Sequence, residues 1–254
     1  MANEVIFEAR HMHKAFGPTI ALKDVDFQLR RGEIRGLVGE NGSGKSTLIK
    51  LLCRLYDPTE GCILMDGRDI RTLDHDAYLA QFAAVFQDFR LFDLPLRDNL
   101  TLGHAHTDEE LIQALRRVGL AERVASLPQG LDTYVGRLFS EEGFEPSGGE
   151  AQKLALARAL LRDAPVIVLD EPAAALDARA EYELYRSFDE MVQGKSAVYI
   201  SHRMSSCRFC DRIAVLDGGK LTEEGTHEEL LARGGRYAEL YSLQAQYYND
   251  GKSM

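Results

Sequence analysis

Ile34-Arg35-Gly36-Leu37-Val38 runs directly into Gly39-Glu40-Asn41-Gly42-Ser43-Gly44-Lys45-Ser46, and Thr47 to Leu55 follows as a helical stretch. The order is strand, glycine-rich loop, helix, with the spacing G-x-x-x-x-G-K-[ST]. Glycines let the backbone turn its N–H groups inward around phosphate oxygens, and the helix N-terminus adds partial positive charge. Lys45 can reach the β- and γ-phosphates of a nucleotide, and the Ser46 hydroxyl can ligate magnesium. A glycine-rich turn without function would not need both flanks correct.

Outward from this loop, short apolar strands alternate with helical stretches, which predicts an α/β fold with a largely parallel sheet. Buried strands are expected at 34–38, 82–86, 166–169, 197–200 and 213–216. At the front, 4–10, 25–30 and 61–70 read as antiparallel segments, the last with an Asp66-Gly67 turn. Between about 90 and 162 the pattern turns helical. Capping boxes open helices at Thr107 with Glu110, at Ser147 with Glu150, and at Thr226 with Glu229. Two amphipathic helices are expected over about 227–248. No repeat, low-complexity segment or long linker interrupts the chain, so residues 1–254 read as one domain with a helical insertion.

The strand Val166–Leu169 delivers Asp170 and Glu171 at its C-terminal edge, where ligands sit in an open parallel sheet. Beside a phosphate loop, Asp170 suits a magnesium shell and Glu171 suits a general base for attacking water. Alone, such a pair would read as a cap.

The 254 residues carry 30 basic against 40 acidic side chains, a net charge of −10, which argues against a nucleic-acid partner. The longest run without a polar side chain, Ala164 to Leu169, is six residues, against about 20 for a membrane span. Glu4, Glu8, Arg10 and Lys14 near the start leave no signal-peptide core. Cys207 and Cys210 form a lone CxxC among four cysteines. Thiols in a reducing cytosol are the better reading than a zinc site.

Pro146-Ser147-Gly148-Gly149-Glu150, followed by AQKLALARAL, resembles the signature of the ATP-binding cassette (ABC) family, usually LSGGQ. The remaining family stations fall in order. Phe16 matches the aromatic that stacks on adenine, and Gln87 in VFQD resembles the Q-loop. Asp177 in AALD resembles the D-loop, and His202 in ISHR resembles the switch histidine. The resemblance spans about 5 to 248. It implies a P-loop NTPase (RecA-like) core with an antiparallel β subdomain and an α-helical insertion, the ABC nucleotide-binding domain. It also implies an ATP hydrolase using magnesium, with Glu171 and His202 catalytic. The implied nucleotide contacts are Phe16, Gly39 to Thr47 (Gly39, Glu40, Asn41, Gly42, Ser43, Gly44, Lys45, Ser46, Thr47), Gln87, Ser147, Gly148, Gly149 and Asp177. Ser46, Gln87 and Asp170 would hold the metal.

Taken alone, Phe16 would read as core or surface filler, Gln87 as an uninformative strand end, and His202 as a structural histidine. Pro146 and Glu150 depart from the signature, and a carboxylate there would weaken closure over ATP unless it caps its own helix. Lys14 to Leu48 looks like sugar-importer ATPases, whereas the segments from Ile49 onward look exporter-like. The implied assembly is a homodimer, or a heterodimer with another ABC ATPase, holding two ATP molecules and docked on a transmembrane subunit or domain at the cytoplasmic face. Opening on Met1, the chain is expected to be a separate subunit or an excised domain. A soluble nucleotide switch or scaffold is the alternative. A P-loop kinase would leave SGGE and His202 unexplained. The stretch Asp88 to Leu96, rich in apolar side chains yet interrupted by charges, is expected to form the docking surface.

Overall fold

A computed structural model describes residues 4–176, 192 and 194–250. The chain divides into two units, one of Met1–Phe82, Pro165–Glu171 and Gly194–Met254, the other of Ala83–Ala164 and Pro172–Gln193.

In the first unit, β1 (Val5–Phe16), β2 (Thr19–Arg30), β4 (Glu60–Met65) and β5 (Arg68–Asp69) form an antiparallel sheet in the order β2-β1-β4-β5. A second sheet has the order β10-β9-β3-β8-β7-β6, from β3 (Ile34–Val38), β6 (Phe82–Val85), β7 (Val166–Asp170), β8 (Ser196–Ile200), β9 (Arg212–Asp217) and β10 (Lys220–Gly225). Strands β9, β3, β8 and β7 run parallel, as their apolar sequences require. Nearly every side chain on β3, β7 and β8 is buried, so register is fixed from both faces. The parallel strands end together, and β3, β7 and β8 deliver Gly39, Glu171 and Ser201 at their carboxyl ends.

Strand β10 was not expected, because KLTEEG carries almost no apolar pattern. Its Glu224 explains its place: the carboxylate pairs with Arg35 at 2.9 Å, and Arg35 also meets Glu33 at 3.0 Å. The Arg35 guanidinium is buried and lies 5.6 Å from the Phe27 ring centroid. An edge strand that supplies the counter-charge for a buried arginine does not need an apolar stripe.

Helix α1 spans Lys45–Leu52, beginning two residues earlier and ending sooner than Thr47–Leu55. Gly44 precedes it in a left-handed conformation. Helix α2 (His75–Leu79) is capped by Asp74. The C-terminal pair is α7 (His227–Arg233) and α8 (Arg236–Asp250). They are pinned together where the buried His227 Nδ1 meets the Tyr237 hydroxyl at 2.7 Å. Burial pushes the His227 imidazole below its usual range, favouring its neutral form. Cys207 and Cys210 are buried, and burial pushes the Cys207 thiol up to about 12, so it remains protonated.

The second unit holds α3 (Leu96–Thr101), α4 (Asp108–Arg117), α5 (Ala121–Ala125) and α6 (Gly148–Leu161). The capping boxes at Thr107, Ser147 and Thr226 form with both reciprocal hydrogen bonds. Such caps contribute about 1 kcal/mol each and set where each helix begins.

Candidate nucleotide site

Gly39 has φ 149°, and a Cβ there would lie 2.1 Å from the Leu216 carbonyl oxygen. At Gly44, φ is 104°, and a Cβ would lie 2.6 Å from Leu22 and 2.7 Å from the Ala21 carbonyl oxygen. The loop is therefore threaded between β2 and β9 so tightly that both positions exclude every side chain. Lys45 is buried beneath it, and its ammonium donates to the Gly39 and Glu40 carbonyls at 2.8 Å each. Burial pushes Lys45 below its usual range, while Glu171, Asp170 and Glu40 act the other way.

Asp170 ends β7 and is 2% exposed. One of its oxygens interacts with the Ser46 hydroxyl, whereas Oδ1 is buried without a hydrogen-bond partner. Burial holds the Asp170 carboxyl above its ordinary range, against the Ser46 hydrogen bond that lowers it. An orphaned buried carboxylate oxygen beside a serine hydroxyl offers oxygen donors that fit a hard divalent cation. Both oxygens match the ligand type that magnesium takes.

Glu171 follows immediately, and its backbone N–H donates to the Ile200 carbonyl at 3.0 Å. Its φ is 55°, a left-handed conformation disfavoured for a residue with a Cβ. The turn aims its carboxylate at His202, whose Nε2 contacts Oε1. Thus the first unit gathers Gly39 to Thr47, Asp170, Glu171 and His202 at one edge of the parallel strands. Phe16 sits elsewhere on that unit, at the end of β1, with its ring edge-on to Tyr56 at 5.4 Å and Lys14 Nζ at 5.0 Å from its centroid. Phe16 and Tyr56 are both exposed. The pairing of Phe16 with Tyr56 has no periodic signal in RLYDP.

In the second unit, Gln87 is exposed just beyond β6. Ser147 caps α6: its hydroxyl accepts from the Glu150 N–H at 3.2 Å, and the Glu150 carboxylate accepts from the Ser147 N–H at 2.9 Å. Arg123 Nε donates to the same carboxylate at 3.1 Å. Burial raises the Glu150 carboxyl, but these hydrogen bonds outweigh it and hold the group below its usual range. The carboxylate therefore turns back on its own helix, the arrangement that spares the signature from its charge. A Cβ on Gly149 would lie 3.3 Å from the Ala175 carbonyl oxygen, and buried Gln152 accepts from the Ala175 N–H at 2.9 Å. The signature helix and residues 173–176 are thereby locked together. Asp177 lies outside the described residues.

A strand-loop-helix phosphate cradle with a strand-borne carboxylate pair defines a P-loop nucleotide-binding protein. The ABC transporter family profile matches residues 22–174. The chain belongs to the ABC transporter family and folds as its nucleotide-binding domain. It is 40% identical over 243 residues to an ATP-dependent lipid A-core flippase of Burkholderia orbicola (strain AU 1054), covering 96% of this chain and 40% of that protein. It is 38% identical over 248 residues to the β-(1→2)glucan export ATP-binding/permease protein NdvA of Agrobacterium vitis, covering 97% and 42%. A solved bacterial Atm1-family ABC exporter with ATP bound superposes with a TM-score of 0.89 at 34% identity, covering 96% of this chain and 43% of that one. The chain thus spans about two fifths of the length of the relatives it matches.

Proposed function

We propose that this chain is the ATP-hydrolysing motor of an exporter. The observation that carries the reading is the Ser46–Asp170 pair with its orphaned oxygen, set beside Lys45 and followed by Glu171 on His202. The loop amides and Lys45 bind and orient the phosphates, and Phe16 offers its exposed face to the adenine. Ser46, Asp170 and Gln87 are the residues that would hold magnesium, which when bound supplies positive charge against the phosphate oxygens. Glu171 accepts the proton of the attacking water, and His202 orients that carboxylate and the γ-phosphate. Ser147, Gly148, Gly149 and Asp177 serve the ATP of a second copy or of a related ABC ATPase. The capping of Glu150 supports this role for α6.

The chain should release phosphate from magnesium-ATP, with a rate rising as the square of its concentration at high dilution. Ser147→Arg should bind ATP normally yet abolish that turnover. A rate linear in concentration at all dilutions counts against the shared site.

The membrane part is proposed to dock beside Phe92 and Leu94, at the cytoplasmic face. No helix among the described residues is long and apolar enough to cross a membrane, and three fifths of each relative's length lies outside the match. Phe92 is 49% exposed and Leu94 44%, while Leu96 is buried. The loop is rigid: buried Asn99 donates to the Phe92 and Leu94 carbonyls at 2.9 and 3.0 Å, and Arg158 donates to the Arg90 carbonyl at 3.1 Å. Rigid exposed apolar groups suit a preformed docking face. Phe92→Asp should keep the fold and leave the chain's own turnover within about twofold, while copurification with the membrane partner is lost. Unfolding of that variant would place Phe92 in the core and end this proposal.

A further inference from the structure

We infer that Gln244, on α8, is a positioning residue for His202; the inference rests on the ATP-hydrolysis reading above. Strand β8 ends at Ile200, and the chain then leaves the sheet. Backbone groups beyond that point have no ladder to join and need other partners. Two serines hold the turn from its buried side. Ser201 Oγ accepts from the Arg203 N–H at 2.9 Å, and the Ser206 hydroxyl donates to Ser201 Oγ at 2.8 Å.

Gln244 closes the turn from the other side. Its Nε2 donates to the His202 carbonyl, and its Oε1 accepts from the Met204 N–H at 2.8 Å. One half-buried side-chain amide thus spans the backbone on both sides of Arg203, from about forty residues away in sequence. The carbonyl that it holds belongs to the residue whose imidazole meets Glu171. Holding the backbone on both sides of Arg203 holds the segment from which the His202 ring projects, and so supports where Nε2 points.

The same helix is anchored to the phosphate loop. Arg236, its first residue, pairs with Glu40 at 2.9 Å. Arg236 and Gln244 lie eight residues apart, about 12 Å along a helix. A single stiff element therefore holds the loop at one end and the histidine segment further along. The hydrogen bonds of Gln244 go to the His202 carbonyl and the Met204 N–H, so it acts through His202.

Steady-state ATP hydrolysis by the 254-residue chain tests this, comparing wild type, Gln244→Ala, His202→Ala and the double variant. Gln244→Ala should lower kcat by about 10- to 100-fold, the scale of a small misplacement of a reacting group, with KM for ATP within about twofold. The double variant should turn over no more slowly than His202→Ala alone, because the two residues act as one unit. Gln244→Glu keeps the acceptor for Met204 but removes the donor to His202, and should show the same loss. It decides the question by the same criteria if the alanine variant does not fold. Wild-type kcat in Gln244→Ala or Gln244→Glu beside a crippled His202→Ala overturns the inference alone. So does a rise in KM without loss of kcat, or losses that multiply in the double variant. A His202→Ala chain that turns over like wild type overturns the underlying reading as well.

Discussion

Glu171→Gln is expected to lose about 10²- to 10⁴-fold in ATP turnover, the contribution of a positioned general base, while keeping its affinity for ATP. Glutamine has the same shape and can still meet His202, so orientation survives. It lacks a basic carboxylate, so the water keeps its proton. The residue is held by the backbone bond to Ile200 and by the ends of two neighbouring strands, so the substitution should not move the site. The lesion falls on chemistry alone. Single-turnover phosphate release, set beside equilibrium ATP binding, separates the two quantities. ATP should also hold the variant as a closed dimer, visible by size-exclusion chromatography. Wild-type turnover in this variant would remove Glu171 from its role.

Lys45→Ala should act one step earlier, on binding itself. The ammonium is buried and donates to two loop carbonyls, so the variant loses both a phosphate partner and the group that clasps the loop. Two charge-assisted hydrogen bonds contribute roughly 3 kcal/mol or more, so ATP affinity should fall by at least about 100-fold. Titration with a fluorescent ATP analogue measures this. Near-normal affinity would mean that the loop amides alone hold the phosphates.

Where sequence periodicity and burial coincide, the sequence is readable. Strands β3, β7 and β8 are short apolar runs because both faces are covered, and each was placed within a residue of its observed ends. The capping boxes were readable for a different reason, since the two reciprocal bonds lie within one turn of chain. Strand β10 escaped because its role is to bring Glu224 to Arg35, an interaction between distant segments that leaves no local pattern. The site divides along the same line. The loop, Asp170 and Glu171 are written in contiguous residues, and His202 is placed on Glu171 by parallel pairing of β7 and β8. Gln244 and Tyr56 are not. Each meets a neighbour that only the folded chain supplies. The fate of Glu150 needed Arg123, 27 residues away, as well as the local cap.

The left-handed backbone of Glu171 bears on how this protein could be bred for heat tolerance. A side chain in that conformation costs about 1–2 kcal/mol relative to glycine, out of a folding stability that is typically only about 5–15 kcal/mol. A library screened for melting temperature alone would find relief by placing glycine at position 171. The same step would discard the carboxylate. Sturdier, idle survivors would then dominate the screen unless turnover were assayed at every round.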